Sequence, residues 1–232
     1  MKKGFTLAEV LIALTIIGTI SALTIPSIIN TYKYKLYTSQ LNKAFSQIST
    51  SVNQIINDEY SNHPNSENSD YMTGFYATTA GYSEGLEDFL NSYFKKGKNC
   101  TNVSTCMGQS YKKSNGTALT TIAPNTAKCI NTINGASLCM YFDNSITRTR
   151  VLEDGESEEY TGVMVVIIDV NGQKDPNIVG LDTFAIKIDD NGSLSDIDSD
   201  YTKCNTGSTS VVKAAAGCFA KYLKNGQRIT KD

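Results

Sequence analysis

The chain has 232 residues, with 21 Lys or Arg against 23 Asp or Glu, so its formal net charge is -2. This length suits one globular domain with an attached helix and is short for two full enzyme domains. The near balance of charge leaves no general basic field to hold a polyanion, which argues against nucleic-acid binding by bulk electrostatics. Trp is absent and Tyr occurs 13 times, a profile that favours a polar extracytoplasmic surface.

The first thirty residues are the most apolar part of the chain. Lys2 and Lys3 precede an apolar run from Phe5 to Ile29, whose one ionisable residue is Glu9. As a helix this run is roughly 37 Å long at ~1.5 Å per residue, enough to cross a hydrocarbon core of ~30 Å. Its large apolar side chains favour insertion by roughly 3 to 7 kcal/mol, which outweighs up to ~3 kcal/mol for one acid near the end. We therefore expect a membrane-spanning helix.

The two lysines also predict how the helix is oriented. Positive charge before an apolar run favours a cytoplasmic N-terminus, so everything after about residue 30 is expected outside the cytoplasm. An ordinary secretory signal is the alternative, but its apolar stretch is usually about 7 to 15 residues and ends at a small-residue cut. Here the run is longer and continues through Pro26, and a disposable signal gains nothing from the carboxylate of Glu9.

The segment from Lys2 to Glu9, KKGFTLAE, resembles the processing site of type IV prepilins and type II secretion pseudopilins. The resemblance implies that a membrane-embedded aspartic peptidase cuts after Gly4 and methylates Phe5, the new first residue. It also implies that Glu9 is the acid five places into the mature chain. Gly18 and Pro26 match family positions where the helix is softened and bent.

A physical role for Glu9 follows independently of the family. After cleavage Phe5 carries a cationic amine, which is costly in an apolar filament core unless it is paired. A carboxylate one helical turn along can meet the amine of an adjacent subunit, so that correct axial register neutralises both charges. The alternative is a partly solvated Glu9 at the level of the lipid headgroups.

Two residues predict that the apolar helix can bend. Pro26 removes a backbone donor and clashes with the carbonyl of Ala22, and Gly18 has a weak helix propensity. We expect bending or local unwinding between them. The alternative for Pro26 is a membrane-helix proline without a mechanical role.

The helix is expected to continue as an amphipathic rod. From Tyr32 to Glu59, apolar residues recur at steps of three and four. The residues of this stripe are Leu41, Phe45, Ile48, Val52, Ile55 and Ile56. The turn-rich segment SNHPNSENSD, residues 61–70, is expected to end the helix. The predicted organisation is a leader at 1–4, a membrane or filament-core helix at 5–30, its amphipathic continuation at 31–59 and an extracytoplasmic domain at 60–232.

The rest of the chain predicts an antiparallel sheet, which gives an α+β fold of the pilin kind. The clearest strand is Gly162 to Val170, rich in β-branched residues. A second runs from Thr183 to Ile188, with a turn into a third near Leu194, and Leu138 to Phe142 is a further strand. Gly85 to Phe94 is expected to form a short helix. The acidic residues Glu153, Asp154, Glu156, Glu158 and Glu159 are expected in a solvated loop.

The 6 cysteines are an even number in a chain with an exported-looking N-terminus, which suggests disulfides. Buried free thiols are the alternative. Six thiols permit fifteen pairings, and spacing alone does not choose among them. We favour the sequence-local set because each pair closes a short loop rich in Asn, Thr and Gly. These pairs are Cys100–Cys106, Cys129–Cys139 and Cys204–Cys218.

A metal site has one candidate loop. Residues 169–182, DVNGQKDPNIVGLD, place oxygen-bearing side chains among glycines, a composition that suits calcium. The expected ligands are Asp169, Asn171, Asp175 and Asp182, with Asn177 nearby. A turn closed by Asx hydrogen bonds is the alternative. Residues 189–200 are a weaker calcium candidate. Zinc is not expected, because no cysteine pair is two residues apart and His63 is the only histidine.

The expected function is that of a structural subunit, stored in the inner membrane and drawn into a filament by an assembly machine, as the resemblance implies. Its implied partners are other pilins, the prepilin peptidase, the inner-membrane machinery and lipid. The alternative is a minor pilin whose globular domain binds a ligand or primes assembly at the tip. An enzyme is not expected, because no Ser-His-Asp or Cys-His arrangement and no phosphate-binding glycine motif is evident.

Overall fold

The computed structural model describes residues 4–62, 83–98, 100–151, 157–189 and 192–230. Helix α1, Leu7–Asn62, is continuous over 56 residues and includes Pro26. Between Ser27 and Asn62 neither proline nor glycine interrupts the sequence, so nothing local stops propagation of the helix. The turn-rich segment that was expected to end the helix lies, from His63 onward, outside the described residues.

The second half of α1 packs against the globular domain through one stripe of side chains. The buried residues of this stripe are Tyr37, Leu41, Ala44, Ile48 and Val52. Three of them belong to the predicted stripe, and the other predicted members, Phe45, Ile55 and Ile56, are partly buried at its edges. The prediction of an amphipathic second half is therefore confirmed, and Tyr37 extends the contact by one turn toward the apolar segment.

An antiparallel sheet forms the centre of the domain, with strands in the order β3-β4-β5-β6-β7. Its strands are β3 Lys128–Asn131, β4 Ser137–Val151, β5 Ser157–Asp169, β6 Thr183–Ile188 and β7 Leu194–Asp196. Strands β1 Tyr111–Lys112 and β2 Ala118–Leu119 pair separately. Each sheet neighbour is also the next strand in the sequence, so short connections build a meander. The α+β prediction is confirmed, and all four predicted strands lie in this sheet.

Short helices complete the domain. Helix α2, Ser83–Tyr93, occupies the predicted helical segment, and helix α3 spans Val103–Cys106. Helices α4, Val211–Ala215, and α5, Cys218–Lys224, follow the sheet. Phe219 of α5 stacks on Phe45 of α1, with ring centroids 5.0 Å apart. Through this contact the C-terminal helix α5 packs on the long helix α1.

The expectation of an acidic loop is wrong for two residues. Glu158 and Glu159 lie within β5, where their partners across the strand pair are Arg150 and Thr149. The acidic sequence therefore continues the β4–β5 hairpin. Glu153, Asp154 and Glu156 lie outside the described residues.

The three sequence-local disulfides are the ones present in the structure: Cys100–Cys106, Cys129–Cys139 and Cys204–Cys218. Cys129 and Cys139 are directly opposite each other in the β3–β4 pair. The other two bridges each anchor a short helix, α3 or α5. Local pairing is thus a product of local structure, because each partner is brought close by the turn or hairpin between them.

Candidate functional site

The first half of α1 has no cover from its own domain. From Phe5, which precedes the helix, to Tyr32, the large apolar side chains are 45–89% exposed. The helix is long and apolar enough to cross a membrane. So extensive an apolar surface is unfavourable in water, and it indicates a contact with lipid or with other helices.

Threonine hydroxyls in this apolar segment are satisfied by the helix itself. Thr15 Oγ1 donates to the Leu11 carbonyl at 2.8 Å, and Thr24 Oγ1 donates to the Ile20 carbonyl at 3.0 Å. Thr19 donates in the same way to Ile16. A hydroxyl that bonds to its own backbone needs no partner from the surroundings, so these residues do not oppose burial in an apolar phase.

Glu9 caps the start of α1. The Thr6 backbone N–H and its Oγ1 both donate to Glu9 Oε2 at 2.8 Å, and the Glu9 N–H donates to Thr6 Oγ1 at 3.3 Å. This is a capping box, in which an N-cap Thr and a Glu three residues later satisfy each other's backbone donors. Sequence reasoning missed this role, although the spacing TLAE is its signature.

The two predicted bending positions lie inside an unbroken helix. Gly18 and Pro26 are both helical, and nothing lies within 4 Å of where a Cβ at Gly18 would be. A side chain at Gly18 would therefore meet no steric obstacle within the subunit. A role in bending stays a prediction, as do the processing roles of Gly4 and Phe5.

A second cluster of polar groups is buried in the domain, where the β5–β6 loop meets α1. Asp169 and Asp182 are both 0% exposed. Tyr111 O–H donates to Asp169 Oδ2 at 2.5 Å, and the backbone N–H groups of Asn177 and Ile178 donate to the Asp182 carboxylate at 2.9 and 2.6 Å. Burial raises the pKa of Asp182 to about 6 and the pKa of Asp169 well above its usual range, with the charge of Asp182 adding to the effect on Asp169.

Two amide oxygens beside these carboxylates receive no hydrogen bond from any described residue. They are Asn171 Oδ1 and Asn177 Oδ1, and Asn177 is only 3% exposed. Asn171 Nδ2 donates to Asp182 Oδ2 at 3.4 Å and to the Asp175 carbonyl at 3.2 Å. The Asp175 side chain is exposed. The loop thus brings together Asp169, Asn171, Asn177 and Asp182, while the Asp175 carboxylate lies at the surface.

The weaker calcium segment, residues 189–200, uses its carboxylates for other contacts. Asp196 accepts from the N–H groups of Gly217 and Ala220 at the start of α5, at 2.8 and 2.7 Å. Asp198 forms an ion pair with Lys203 at 2.6 Å. Within the described parts of the chain no three His, Cys, Asp or Glu side chains are grouped as a metal site. His63 is outside those parts.

Comparison with known proteins places one motif on this framework. Residues 1–25 match the family model described as the prokaryotic N-terminal methylation motif. A search of curated proteins and a search of solved structures each found no match. The match covers Glu9, Gly18 and the start of α1, so it concerns the exposed apolar helix and not the disulfide-bonded domain.

Proposed function

We propose that this chain, which carries at residues 1–25 the signature of type IV prepilins and pseudopilins, is a subunit of a type IV pilus-like or pseudopilus filament. One observation carries the proposal: a 56-residue helix packs one face of its second half on a folded domain, while the apolar side chains of its first half stay exposed. The motif and the fold both indicate a structural subunit. An apolar helix of this length can be covered by lipid before assembly and by identical helices afterwards.

Storage in the inner membrane, with the N-terminus in the cytoplasm, is supported by the three disulfides, which belong to the part expected outside the cytoplasm. The basic leader with Lys2 and Lys3 precedes the apolar segment, as the motif requires. The prepilin peptidase would then meet the bond between Gly4 and Phe5 at the cytoplasmic face. Assembly would move the helix sideways from lipid into a core of sister helices, with the disulfide-bonded domains outside.

The capping box gives Glu9 a partner at each stage. In the single subunit its carboxylate is satisfied by Thr6. In the filament core, the cationic amine of Phe5 from an adjacent subunit offers a charged partner in place of a neutral one. The hydrogen bonds from Thr6 leave the charge of Glu9 uncancelled, whereas the amine cancels it, so the exchange is favourable once water and lipid headgroups are excluded.

The experiment that tests the proposal is mass spectrometry of the mature N-terminus in the native membrane. We expect the chain to begin at a methylated Phe5, because the motif places the cut after Gly4. A cut near Ala22, or an intact Met1, would remove the basis of the proposal.

A minor-subunit role is the second form of the same proposal, with the domain priming assembly or binding a ligand at the tip. A cavity of about 240 Å³ beside the Cys204–Cys218 bridge is large enough for a small ligand and supports this form. Abundance separates the two forms. A major subunit dominates sheared filaments, whereas a minor one is scarce in them while its deletion lowers filament number.

We also propose that the β5–β6 loop binds calcium. Two buried carboxylates, Asp169 and Asp182, and two amide oxygens without donors, on Asn171 and Asn177, form a set of hard oxygens of the kind calcium prefers. The groups that donate to the two carboxylates, from Tyr111 and from the loop, are neutral. A bound cation would therefore relieve the repulsion between Asp169 and Asp182. When bound, the ion would supply charge neutralisation and rigidity to the loop.

Removing calcium should lower the melting temperature of the mature chain. Binding stabilises the folded state by about 2.7 kcal/mol when the ion is present at a hundred times its dissociation constant, so chelation should lower the midpoint by several degrees. Asp182→Asn should abolish the response to calcium. Asp143→Asn, at the register shift of β4 and away from this loop, is the matched control and should keep it. Equal melting temperatures of the wild type with calcium and with chelator would show that the loop binds no calcium and is held by its Asx hydrogen bonds.

A further inference from the structure

Two parts of this chain carry positive charge and no acidic residue. The C-terminal segment from Cys204 to Thr230 contains no acid, and neither does α1 between Glu9 and Asp58. The cations of these two parts are Lys33, Lys35, Lys43, Lys213, Lys221, Lys224 and Arg228. Because the whole chain has a net charge of -2, the remaining surface is correspondingly acidic.

The fold brings the end of the C-terminal segment beside the part of α1 nearest the apolar run. Ile229 N–H donates to Thr38 Oγ1 at 3.1 Å, and Tyr222 O–H is hydrogen-bonded to Asn42 Oδ1. Lys221 and Arg228 line the same cavity as Tyr34. The C-terminal segment therefore runs down α1 toward the apolar segment and ends with its cations level with Tyr34.

Lys33 and Lys35 of α1 lie at a defined height above the apolar segment. With ~1.5 Å per residue, Lys33 and Lys35 are roughly 5 to 8 Å beyond Asn30, which follows the last apolar residue. The headgroup layer on each side of a bilayer is roughly 5 to 8 Å thick, since bilayers are ~30 Å thick without headgroups and ~40 to 45 Å with them. Both lysines are exposed, and Tyr32 between them and the apolar run is 65% exposed, as in an interfacial aromatic belt.

The domain adds two more exposed cations at this end. Arg228 is exposed, and the Lys224 ammonium is held 3.4 Å from the centre of the Tyr201 ring while remaining exposed. We call Lys33, Lys35, Lys224 and Arg228 the basic collar. Its members come from two elements far apart in sequence, and the fold places both elements at the membrane end of the domain.

We propose that the basic collar binds the phosphate groups of anionic phospholipids in the outer leaflet while the subunit is stored in the membrane. The inference rests on the proposed function, because it requires the first half of α1 to be in lipid. Charge complementarity and height both select this partner: the headgroup layer is where Lys33 and Lys35 lie, and its anionic members carry the opposite charge. The domain is thereby held against the membrane until assembly lifts it away.

The contact is electrostatic and should be weak enough to reverse. Each cation near an anionic surface strengthens the association about fivefold. Salt limits this attraction to distances shorter than the Debye length, which is ~10 Å at 0.1 M salt. Extraction of the subunit into a filament replaces these headgroups by other subunits. Anionic lipid should therefore slow extraction without preventing it.

The test uses the mature full-length chain in nanodiscs of equimolar phosphatidylcholine and phosphatidylglycerol. Native mass spectrometry identifies the lipids that stay bound after release of the disc. We expect the wild type to retain phosphatidylglycerol in several-fold excess, and Lys224→Gln with Arg228→Gln to bring the two lipids to nearly equal retention, because each charge removed weakens the association about fivefold. High salt in the disc buffer should reduce it similarly.

The control is Lys98→Gln, an exposed lysine beyond α2, compared with Lys224→Gln alone so that one charge is removed in each variant. This region is far from the membrane end, because Tyr93 accepts a hydrogen bond from Ser51, about 21 residues or ~31 Å beyond Asn30 along α1. The control should keep the wild-type lipid preference. Equal retention of both lipids by the wild type, or an unchanged preference in the collar variant, would overturn the inference.

Two other results separate this inference from the proposed function. A chain that stays soluble and does not enter nanodiscs would refute the membrane helix itself. Chemical cross-linking in the nanodiscs tests the other outcome. If the collar variant keeps its lipid preference but loses oligomers that the wild type forms, the collar binds an acidic surface of a second copy, and the lipid assignment alone is overturned.

Discussion

Glu9→Ala is expected to leave cleavage after Gly4 intact and to lower incorporation into filaments by about tenfold or more. The reason is that the amine of Phe5 in an adjacent subunit would be left without its counter-charge in an apolar core, where an unpaired charge is strongly unfavourable. Processing is expected to continue because the cut site itself is unchanged. The measurement compares mature chain in membranes with chain in sheared filaments.

Two matched variants separate docking from helix capping at the same position. Glu9→Gln keeps a side chain that can accept from Thr6 but removes the charge, so it should lower incorporation nearly as much as Glu9→Ala. Thr6→Ala removes the cap and keeps the carboxylate, so it should affect incorporation much less. Normal incorporation of Glu9→Gln, with a strong loss in Thr6→Ala, would show that Glu9 acts through the capping box.

Removal of the Cys204–Cys218 bridge by a double change to Ser is expected to cost about 3 kcal/mol in the free energy of unfolding. The estimate follows from loop closure across a sequence separation of 14 residues. Cys218 begins α5, whose Phe219 stacks on Phe45 of α1, so the bridge also holds the end of the chain on the long helix. Urea unfolding of the mature chain in detergent measures the loss.

The matched control is the double change of Cys100 and Cys106 to Ser. Their disulfide closes the shortest of the three loops, with a separation of 6 residues. Loop entropy predicts a smaller loss for it, about 2 kcal/mol. If both losses were below 1 kcal/mol, the bridges would contribute little beyond the packing around them. A much larger loss for Cys100 and Cys106 would contradict the dependence on loop length.

The predicted elements that agree with the structure are those written in local patterns. The alternation of Phe184, Ile186 and Ile188 identified β6 with its observed bounds, and the β-branched run in β5 identified the central strand. The error at Glu158 and Glu159 came from treating acidic residues as loop formers. Both residues pair in register with Arg150 and Thr149 of β4, and composition alone does not assign that pairing.

The sites divide in the same way. The capping box of Thr6 and Glu9 spans four residues and was readable from the sequence, although it was missed. The burial of Asp169 was not readable, because its partner Tyr111 is 58 residues away and reaches it only across the folded domain. Asp175 and Asp182 look alike as acids in one loop, yet Asp182 is buried and Asp175 is exposed.

By itself the sequence determined the apolar leading helix, its continuation and the four strands β4 to β7, because each depends on periodicity within about a dozen residues. It favoured the sequence-local disulfides without choosing among the fifteen pairings. Only the tertiary structure decided which carboxylates are buried together and that the C-terminal cations lie beside Tyr34 and Thr38. Those outcomes depend on contacts between residues up to 191 positions apart, and local propensity carries no information about contacts at that separation.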